Sequence, residues 1–143
     1  MNTNIKINFV FEFGVNNGSM SLLMRDNEHV LSDISDANGL VEVNTLINFP
    51  NQITIALSGK NPNTDTTVVD GEIVADKYVK LVGMTVGGIK VTEATLFKIL
   101  NYKHGDENVF DTFWGFNGEI VIDFDHNDFI RWHLSHQNVF DLT

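Results

Sequence analysis

The sequence predicts an all-β protein: an antiparallel β-sandwich of the jelly-roll kind that ends in a short C-terminal helix or tail. Apolar residues recur at every second position in several short segments, the period of a strand with one buried face. About eight or nine such segments are separated by short turns rich in Gly, Asn and Asp, the spacing of sandwiches and barrels. No segment of helical period is long enough to cover a parallel sheet.

The chain of 143 residues fits a single domain, with the sandwich expected over 1–125 and a helical or extended docking tail over 126–143. Its hydrophobic content of 43% is ordinary for a globular protein. The sequence contains no cysteine, which excludes disulfides, thiolate zinc sites and cysteine nucleophiles. The alternating pattern from Met1 to Gly14 predicts neither a signal peptide nor a membrane span.

The net charge of the chain limits the kinds of partner that it is expected to bind. Nineteen acidic residues against nine basic ones give a formal net charge of -10. Such a surface repels phosphate backbones, so nucleic-acid binding is not expected. The same charge keeps a protein soluble, and it also suits hard divalent cations such as calcium.

The first half of the chain contains the clearest strands. Ile5 to Phe13 alternates between apolar and polar residues, and a turn at Asp26-Asn27 is predicted to join the next two strands. Pro50 is expected to end the fourth strand because proline cannot donate to a ladder. The predicted strands are 5–13, 19–25, 29–31, 40–49 and 52–58.

The second half contains two dipeptides typical of tight hairpins, Asp70-Gly71 and Asn117-Gly118. In the strand 78–86 the apolar residues change parity at Gly83, which predicts a bulge. Residues 103–108 are predicted to be a loop. The pattern over 95–100 is compatible with either one helical turn or a short strand.

The tail is unusually apolar for a chain end. Asn127 or Asp128 is a plausible helix cap for the segment that follows. Phe129 and Trp132 are expected to pack against a sheet or a neighbouring subunit, and we take them as candidate partner-docking residues.

Residues suited to catalysis are few, and no enzyme is predicted. No serine lies in a nucleophile-elbow motif, and no glycine-rich phosphate loop is present. Asp123 and Asp125 share a strand face about 7 Å apart, so a pair of glycosidase carboxylates is one interpretation. A polar outer strand face is the favoured alternative. His133 and His136, three residues apart, are interpreted as solvated surface rather than as a metal site.

Candidate binding residues lie in two groups. The segment 61–77 offers several oxygen ligands suited to calcium, although their order does not match an EF-hand loop. The candidate calcium ligands are Asn63, Asp65, Asp70 and Asp76. A sugar needs an aromatic face together with polar side chains for its hydroxyls, and the candidate aromatics are Tyr78, Tyr102 and Trp114.

Three segments in order resemble small proteins of tailed bacteriophages, particularly marine ones. They are IKINFVFEFG, DTTVVDGEIVADKYVKLVGMTVGGIKV and FNGEIVIDFD. Those phage proteins are similar to calcium-dependent, xylan-binding carbohydrate-binding modules, which are β-sandwich jelly rolls. The resemblance covers roughly residues 5 to 125. The tail beyond Asp125 departs from it, which favours docking on a partner.

The resemblance implies a virion structural protein, either a head-surface decoration or a tail or fibre component, synthesised in the host cytoplasm. It would form a homo-oligomer and bind host glycans or neighbouring virion proteins. Modules of the family hold calcium in a loop at the sandwich edge, where the ion coordinates vicinal sugar hydroxyls. Only Asp65 with Thr66, and Asp76 with Lys77, occupy matching positions. The alternatives are a freestanding calcium-dependent lectin-like protein and a small polysaccharide hydrolase or lyase.

Overall fold

The structure, a computed structural model, describes residues 4–14, 20–27, 29–35, 37, 39–59, 67–70, 72–75 and 78–136. The strands within these ranges are β1 (Asn4–Phe13), β2 (Ser21–Arg25), β3 (Val30–Ile34), β4 (Gly39–Asn48), β5 (Asn51–Ser58), β6 (Thr67–Val69), β7 (Glu72–Ala75), β8 (Val79–Val86), β9 (Ile89–Lys90), β10 (Asn101–His104), β11 (Glu107–Phe110), β12 (Phe113–Trp114) and β13 (Gly118–Phe124). The helices are α1 (Glu93–Ile99) and α2 (Phe129–His136).

The strands form two antiparallel sheets, which confirms the predicted all-β fold. The first sheet has the order β12-β8-β1-β4, and β9 pairs with β8. The second has the order β11-β10-β13-β5-β2-β3, and β6 and β7 form a separate two-stranded hairpin. The inward faces of the two sheets supply one continuous hydrophobic cluster. Ile7, Phe9 and Phe11 of β1 and Ile53 and Ile55 of β5 are all fully buried there.

The sandwich has two distinct ends, and the pairing registers define them. At one end Asn4 pairs with Asn48, and Asn51 pairs with Phe124. Helix α2 bridges the two sheets there, so we call it the helix end. At the opposite end, which we call the aromatic end, Phe13 pairs with Val79 in the first sheet, and Gly118 pairs with Leu57 in the second.

Several local predictions are confirmed. β2 and β3 pair across the turn that contains Asp26 and Asn27, and β6 and β7 pair across the turn at Asp70. The bulge in β8 is present as well. Val10 pairs with Gly83 and the next residue of β1 pairs with Leu81, which leaves Val82 as the extra residue. The ambiguous segment 95–100 belongs largely to helix α1, which Thr92 caps by accepting a hydrogen bond from the Thr95 amide at 3.3 Å.

The hairpin predicted at Asn117-Gly118 is wrong. β12 pairs with β8 in the first sheet, whereas β13 pairs with β5 and β10 in the second. The chain therefore crosses between the sheets at this dipeptide instead of turning back on itself. Gly118 does not have the positive φ of a tight hairpin turn. It is required for another reason, because a Cβ there would collide with the backbone carbonyl of Lys103.

The loop predicted over 103–108 is also wrong. β10 and β11 form a hairpin here, with His104 paired to Glu107 and Gly105 at φ 55° in the turn. All four side chains of β11 are exposed, so the strand has no alternation of buried and exposed residues. Without a buried face, the segment lacks the pattern from which strands are predicted.

Helix α2 begins after Asp128, as one of the two proposed caps requires. The Asp128 carboxylate accepts a hydrogen bond from the Arg131 amide at 2.8 Å. Trp132 is fully buried, lies against Phe124 with ring centroids 5.0 Å apart, and donates from Nε1 to the Asp123 carbonyl at 2.8 Å. Phe129 is partly buried against the same core. Neither α1 nor α2 is long and apolar enough to cross a membrane, and only the described residues bear on this point.

This placement corrects the expectation that Trp132 docks on a partner. The open helix end of the sandwich exposes Phe124 to solvent unless another group covers it, and Trp132 of the same chain does so. Of the two possibilities raised by the sequence, packing against a sheet is the one observed. The outward face of α2 instead carries Ile130 and Leu134, whose side chains are 53% and 58% exposed.

Candidate functional site

The predicted calcium ligands are only partly described. Asn63, Asp65 and Asp76 lie outside the described residues. Asp70 lies exposed in the β6–β7 turn with φ 54°, a left-handed conformation that aspartate tolerates better than most residues. Among the described residues, no group of three or more His, Asp or Glu side chains could hold a metal ion. The described residues do not by themselves form a calcium site, and the calcium prediction depends on the segment 60–77.

Two of the three predicted sugar-stacking aromatics lie in the core. Trp114 is fully buried, and Tyr102 is 2% exposed. The Trp114 indole contacts Phe11 at 6.2 Å and Tyr102 at 6.4 Å between ring centroids, and its Nε1 donates to the Asp111 carbonyl at 2.8 Å. The Tyr102 hydroxyl donates to the Phe116 carbonyl at 2.7 Å, so the polar atom of each side chain has a partner inside the protein. Neither ring presents a face to a ligand. The expectation of stacking on Trp114 and Tyr102 is corrected accordingly.

The third predicted aromatic, Tyr78, is accessible. It lies at the aromatic end, directly before β8, and its ring stacks on the exposed ring of Phe113 at 4.9 Å with an interplanar angle of 28°. Its hydroxyl donates to the Glu12 carboxylate at 3.4 Å. Partial burial, with the negative charge of Glu12, raises the pKa of Tyr78, so the phenol is neutral at physiological pH.

A second stacked pair lies close by in the sequence. The ring of Phe116, which is 52% exposed, stacks on His104 at 5.2 Å with an interplanar angle of 18°. We call Tyr78–Phe113 and His104–Phe116 the aromatic pairs. The sugar-stacking residues predicted from the sequence include neither phenylalanine, although a signal for Phe113 was present. Because successive strand side chains alternate, a buried Trp114 requires Phe113 to face outward.

Side-chain hydrogen bonds to the backbone hold the aromatic pairs in place. The Asp111 carboxylate accepts hydrogen bonds from the amides of Thr112 at 2.7 Å and Phe113 at 3.2 Å, which fixes the turn into β12. The buried Tyr102 hydroxyl is hydrogen-bonded to the backbone of Phe116. The rings are therefore presented on a fixed backbone, so little ordering entropy would be lost on binding.

The two candidate catalytic carboxylates lie at the helix end and are exposed. Asp123 accepts a hydrogen bond from the Gln52 side chain at 2.7 Å, and Asp125 lies 2.9 Å from Nδ1 of His126. Both carboxylates are engaged with polar neighbours on the surface of the second sheet. This is the arrangement expected of a polar outer face.

No protein-family model and no curated protein sequence matches the chain. Two solved structures do. One is the selenomethionine form of vCBM60, from work linking two families of calcium-dependent carbohydrate-binding modules by circular permutation. It has a TM-score of 0.55 and 12% identity, and the match covers 83% of this chain and 90% of that one. The sandwich has the fold of vCBM60.

The second structure is vCBM60 in complex with galactobiose, with a TM-score of 0.53 and 11% identity over 82% of this chain and 97% of that one. At such low identity the likeness establishes architecture and not the residues of a site. It confirms that the chain resembles a carbohydrate-binding module in fold. The phage origin stays a prediction.

Proposed function

We propose that this protein is a non-catalytic glycan-binding module whose site lies at the aromatic end of the sandwich. One observation carries the proposal. The residues that flank the segment 60–77, Gly59 and Tyr78, both belong to that end. Gly59 follows β5, whose Ser58 pairs with Ser21, and the Tyr78 carbonyl accepts a hydrogen bond from the Gly14 amide at 2.9 Å.

The chain therefore leaves and re-enters the sandwich at the end that presents the aromatic pairs. The segment between these two points contains the predicted oxygen ligands Asn63, Asp65, Asp70 and Asp76. Calcium prefers such carboxylate and amide oxygens, and a bound ion would supply direct coordination of sugar hydroxyls. Aromatic faces complement this chemistry, because the C–H face of a sugar ring packs on an aromatic ring. The first structural neighbour comes from work on calcium-dependent carbohydrate-binding modules, and the second holds galactobiose, which supports a calcium-dependent glycan site here.

Calorimetry with galactobiose and with neutral xylo-oligosaccharides, in calcium and in EDTA, tests the proposal. We expect binding that calcium strengthens and EDTA weakens. Phe113→Ala should reduce the affinity roughly tenfold, the effect of about 1.4 kcal/mol of lost contact. Phe97→Ala is a matched control, since its ring on α1 is 43% exposed against 44% for Phe113. An absence of sugar binding in both conditions overturns the proposal, and binding that EDTA leaves unchanged overturns the role of calcium.

A polysaccharide hydrolase or lyase is the competing function, with Asp123 and Asp125 as its acids. The exposure of both carboxylates favours the non-catalytic interpretation. Incubation with xylan and related polysaccharides tests for catalysis. Catalysis by these acids is established if the wild-type protein releases reducing ends and neither Asp123→Asn nor Asp125→Asn does.

We further propose, from the sequence resemblance, that the protein is a virion component that assembles with itself or with other virion proteins. Since Trp132 is buried, any docking through α2 would use its outward pair, Ile130 and Leu134, which are one helical turn apart. Mass spectrometry of purified virions tests the location. Light scattering tests self-association, and a monomer that is unaffected by Ile130→Glu argues against docking through this face.

A further inference from the structure

A cleft of about 380 Å³ opens at the helix end of the sandwich, at the end opposite to the aromatic pairs. The start of β1, the β2–β3 turn and the β4–β5 turn form its walls. Its volume falls within the range of small-molecule sites. Six polar residues line it: Asn4, Asp26, Asn27, His29, Asn48 and Asn51.

The polar lining is unusually uniform, since four of these residues are asparagines. A side-chain amide carries both a donor and an acceptor and has no charge, so it matches a hydroxyl, which is also both. No lysine or arginine is among the described residues that line the cleft. A protein with a net charge of -10 therefore offers no fixed cation here to an anionic ligand. The chemistry favours a neutral polyhydroxylated ligand.

One wall of the cleft is apolar. Leu46, which is 56% exposed, and Pro50 stand beside the amides, and Ile47 is buried beneath them. A neutral sugar has the same division, with hydroxyls at the edge of the ring and C–H groups on its faces. A few polar groups beside an apolar wall are features of small-molecule sites.

Local hydrogen bonds fix the walls. The Asp26 amide donates to the His29 carbonyl at 3.0 Å, and the His29 amide donates to the Asp26 carboxylate at 2.7 Å. On the facing turn, the Asn51 side-chain oxygen accepts a hydrogen bond from the Gln52 amide at 2.7 Å. A preformed site loses less entropy on binding than one that must be ordered.

We propose that this cleft is a second glycan-binding site, selective for neutral sugars and independent of calcium. This second proposal rests on the proposed function only for the class of ligand, since the cleft shares no residue with the aromatic pairs. Calcium independence follows from the lining, in which Asp26 is the sole carboxylate among the described residues. Sites at both ends of the sandwich would let one molecule hold two glycan segments, which raises avidity without new contacts.

NMR spectroscopy of the ¹⁵N-labelled protein tests the second site directly, because asparagine side-chain amides give their own signals. Galactobiose and a neutral xylo-oligosaccharide are titrated in EDTA. We expect the side-chain signals of Asn27 and Asn48 to shift, in wild-type protein and in Phe113→Ala alike. The double variant Asn27→Ala, Asn48→Ala should weaken binding at the cleft roughly tenfold or more, whereas Asn108→Ala on β11 should not.

The outcomes separate the two sites. Shifts confined to the aromatic end in calcium overturn the second site and leave the proposed function standing. Shifts at the cleft in EDTA support the second site, and shifts that stay confined to the cleft when calcium is added count against the first. Cleft signals that respond to galacturonic acid more strongly than to galactobiose overturn the selectivity for neutral sugars, and cleft shifts that require calcium overturn the independence from it. The wild-type titration decides even if the double variant does not fold.

Discussion

The Tyr102 hydroxyl donates a hydrogen bond to the carbonyl of Phe116 at 2.7 Å and accepts one from the amide of the same residue at 2.9 Å. Tyr102 belongs to β10 in the second sheet, whereas Phe116 lies where the chain crosses over from β12 in the first. One buried side chain thus fixes the crossing segment between the two sheets. Because Phe116 forms one of the aromatic pairs, a core hydrogen bond controls the geometry of the candidate site.

Tyr102→Phe removes both hydrogen bonds while keeping the ring. The backbone groups of Phe116 then lose their partner, and we expect the free energy of unfolding to fall by about 1–3 kcal/mol. Urea unfolding followed by circular dichroism measures this. Tyr78→Phe is the matched control, since its hydroxyl makes a longer bond of 3.4 Å to Glu12 at the surface, and it should cost under about 1 kcal/mol. Equal stability of Tyr102→Phe and wild type would contradict the role given to this hydroxyl.

Trp132 supports the fold in the same way at the other end. Trp132→Ala should lower the free energy of unfolding by about 3–5 kcal/mol, because it opens the core above Phe124 and leaves the Asp123 carbonyl without its indole donor. Ile130→Ala on the exposed face of α2 should change it by less than about 0.5 kcal/mol. If the two variants are equally stable in urea, α2 does not pack on the sandwich as the structure places it.

The sequence predicts the sandwich well because a strand with one buried face and one solvent-exposed face alternates apolar and polar residues. Phe9 and Phe11 of β1 show this most clearly. That period does not say which sheet a strand joins. The pairing of β12 with β8 depends on contacts such as Phe113 opposite Lys80, which are distant in the sequence. The Asn117-Gly118 dipeptide satisfies every local rule for a hairpin, and the tertiary fold overrides it.

The candidate site is less predictable than the fold, for a related reason. Trp114 is a candidate for sugar stacking because it is a large aromatic residue. The same size suits it to the hydrophobic core, and the structure places it there. The most exposed rings of the aromatic pairs belong to Phe113 and Phe116, and neither is among the sugar-stacking residues predicted from the sequence. The cleft at the helix end unites asparagines from the start of β1, the β2–β3 turn and the β4–β5 turn, so no single stretch of sequence contains it.

Substitutions of Gly118 and Gly83 by alanine test whether the lack of a side chain at Gly118 is required by the close backbone of β10. Gly118→Ala places a methyl group against the Lys103 carbonyl, so β10 must shift, and we expect a loss of about 1–3 kcal/mol of stability. At Gly83 the nearest atom to an added Cβ is that of Val10 at 3.9 Å, an ordinary contact. Gly83→Ala should therefore change the stability by less than about 1 kcal/mol. Thermal unfolding of both variants checks this, and the reverse ranking would contradict the clash inferred between a Cβ at residue 118 and the Lys103 carbonyl.

The stability of the helix end should depend on pH through His136. Its ring packs against Trp132 with centroids 4.9 Å apart, and burial lowers its pKa. Asp125 opposes this shift, whereas His126, Lys98 and His133 add to it. His133 itself donates from Nε2 to the Val86 carbonyl at 2.9 Å. Protonation of His136 would place a charge in this partly desolvated contact.

Because the folded pKa of His136 lies below the ordinary value of about 6.5, the unfolded chain binds more protons in the window just under that pH. Stability should therefore be unaffected by this group above about pH 7 and should fall as the pH drops toward 5. Urea unfolding at intervals between pH 7.5 and 5 measures the slope. His136→Gln should flatten it. If His136→Gln keeps the wild-type slope, the pH dependence of stability belongs to another group, because this variant has no imidazole at position 136.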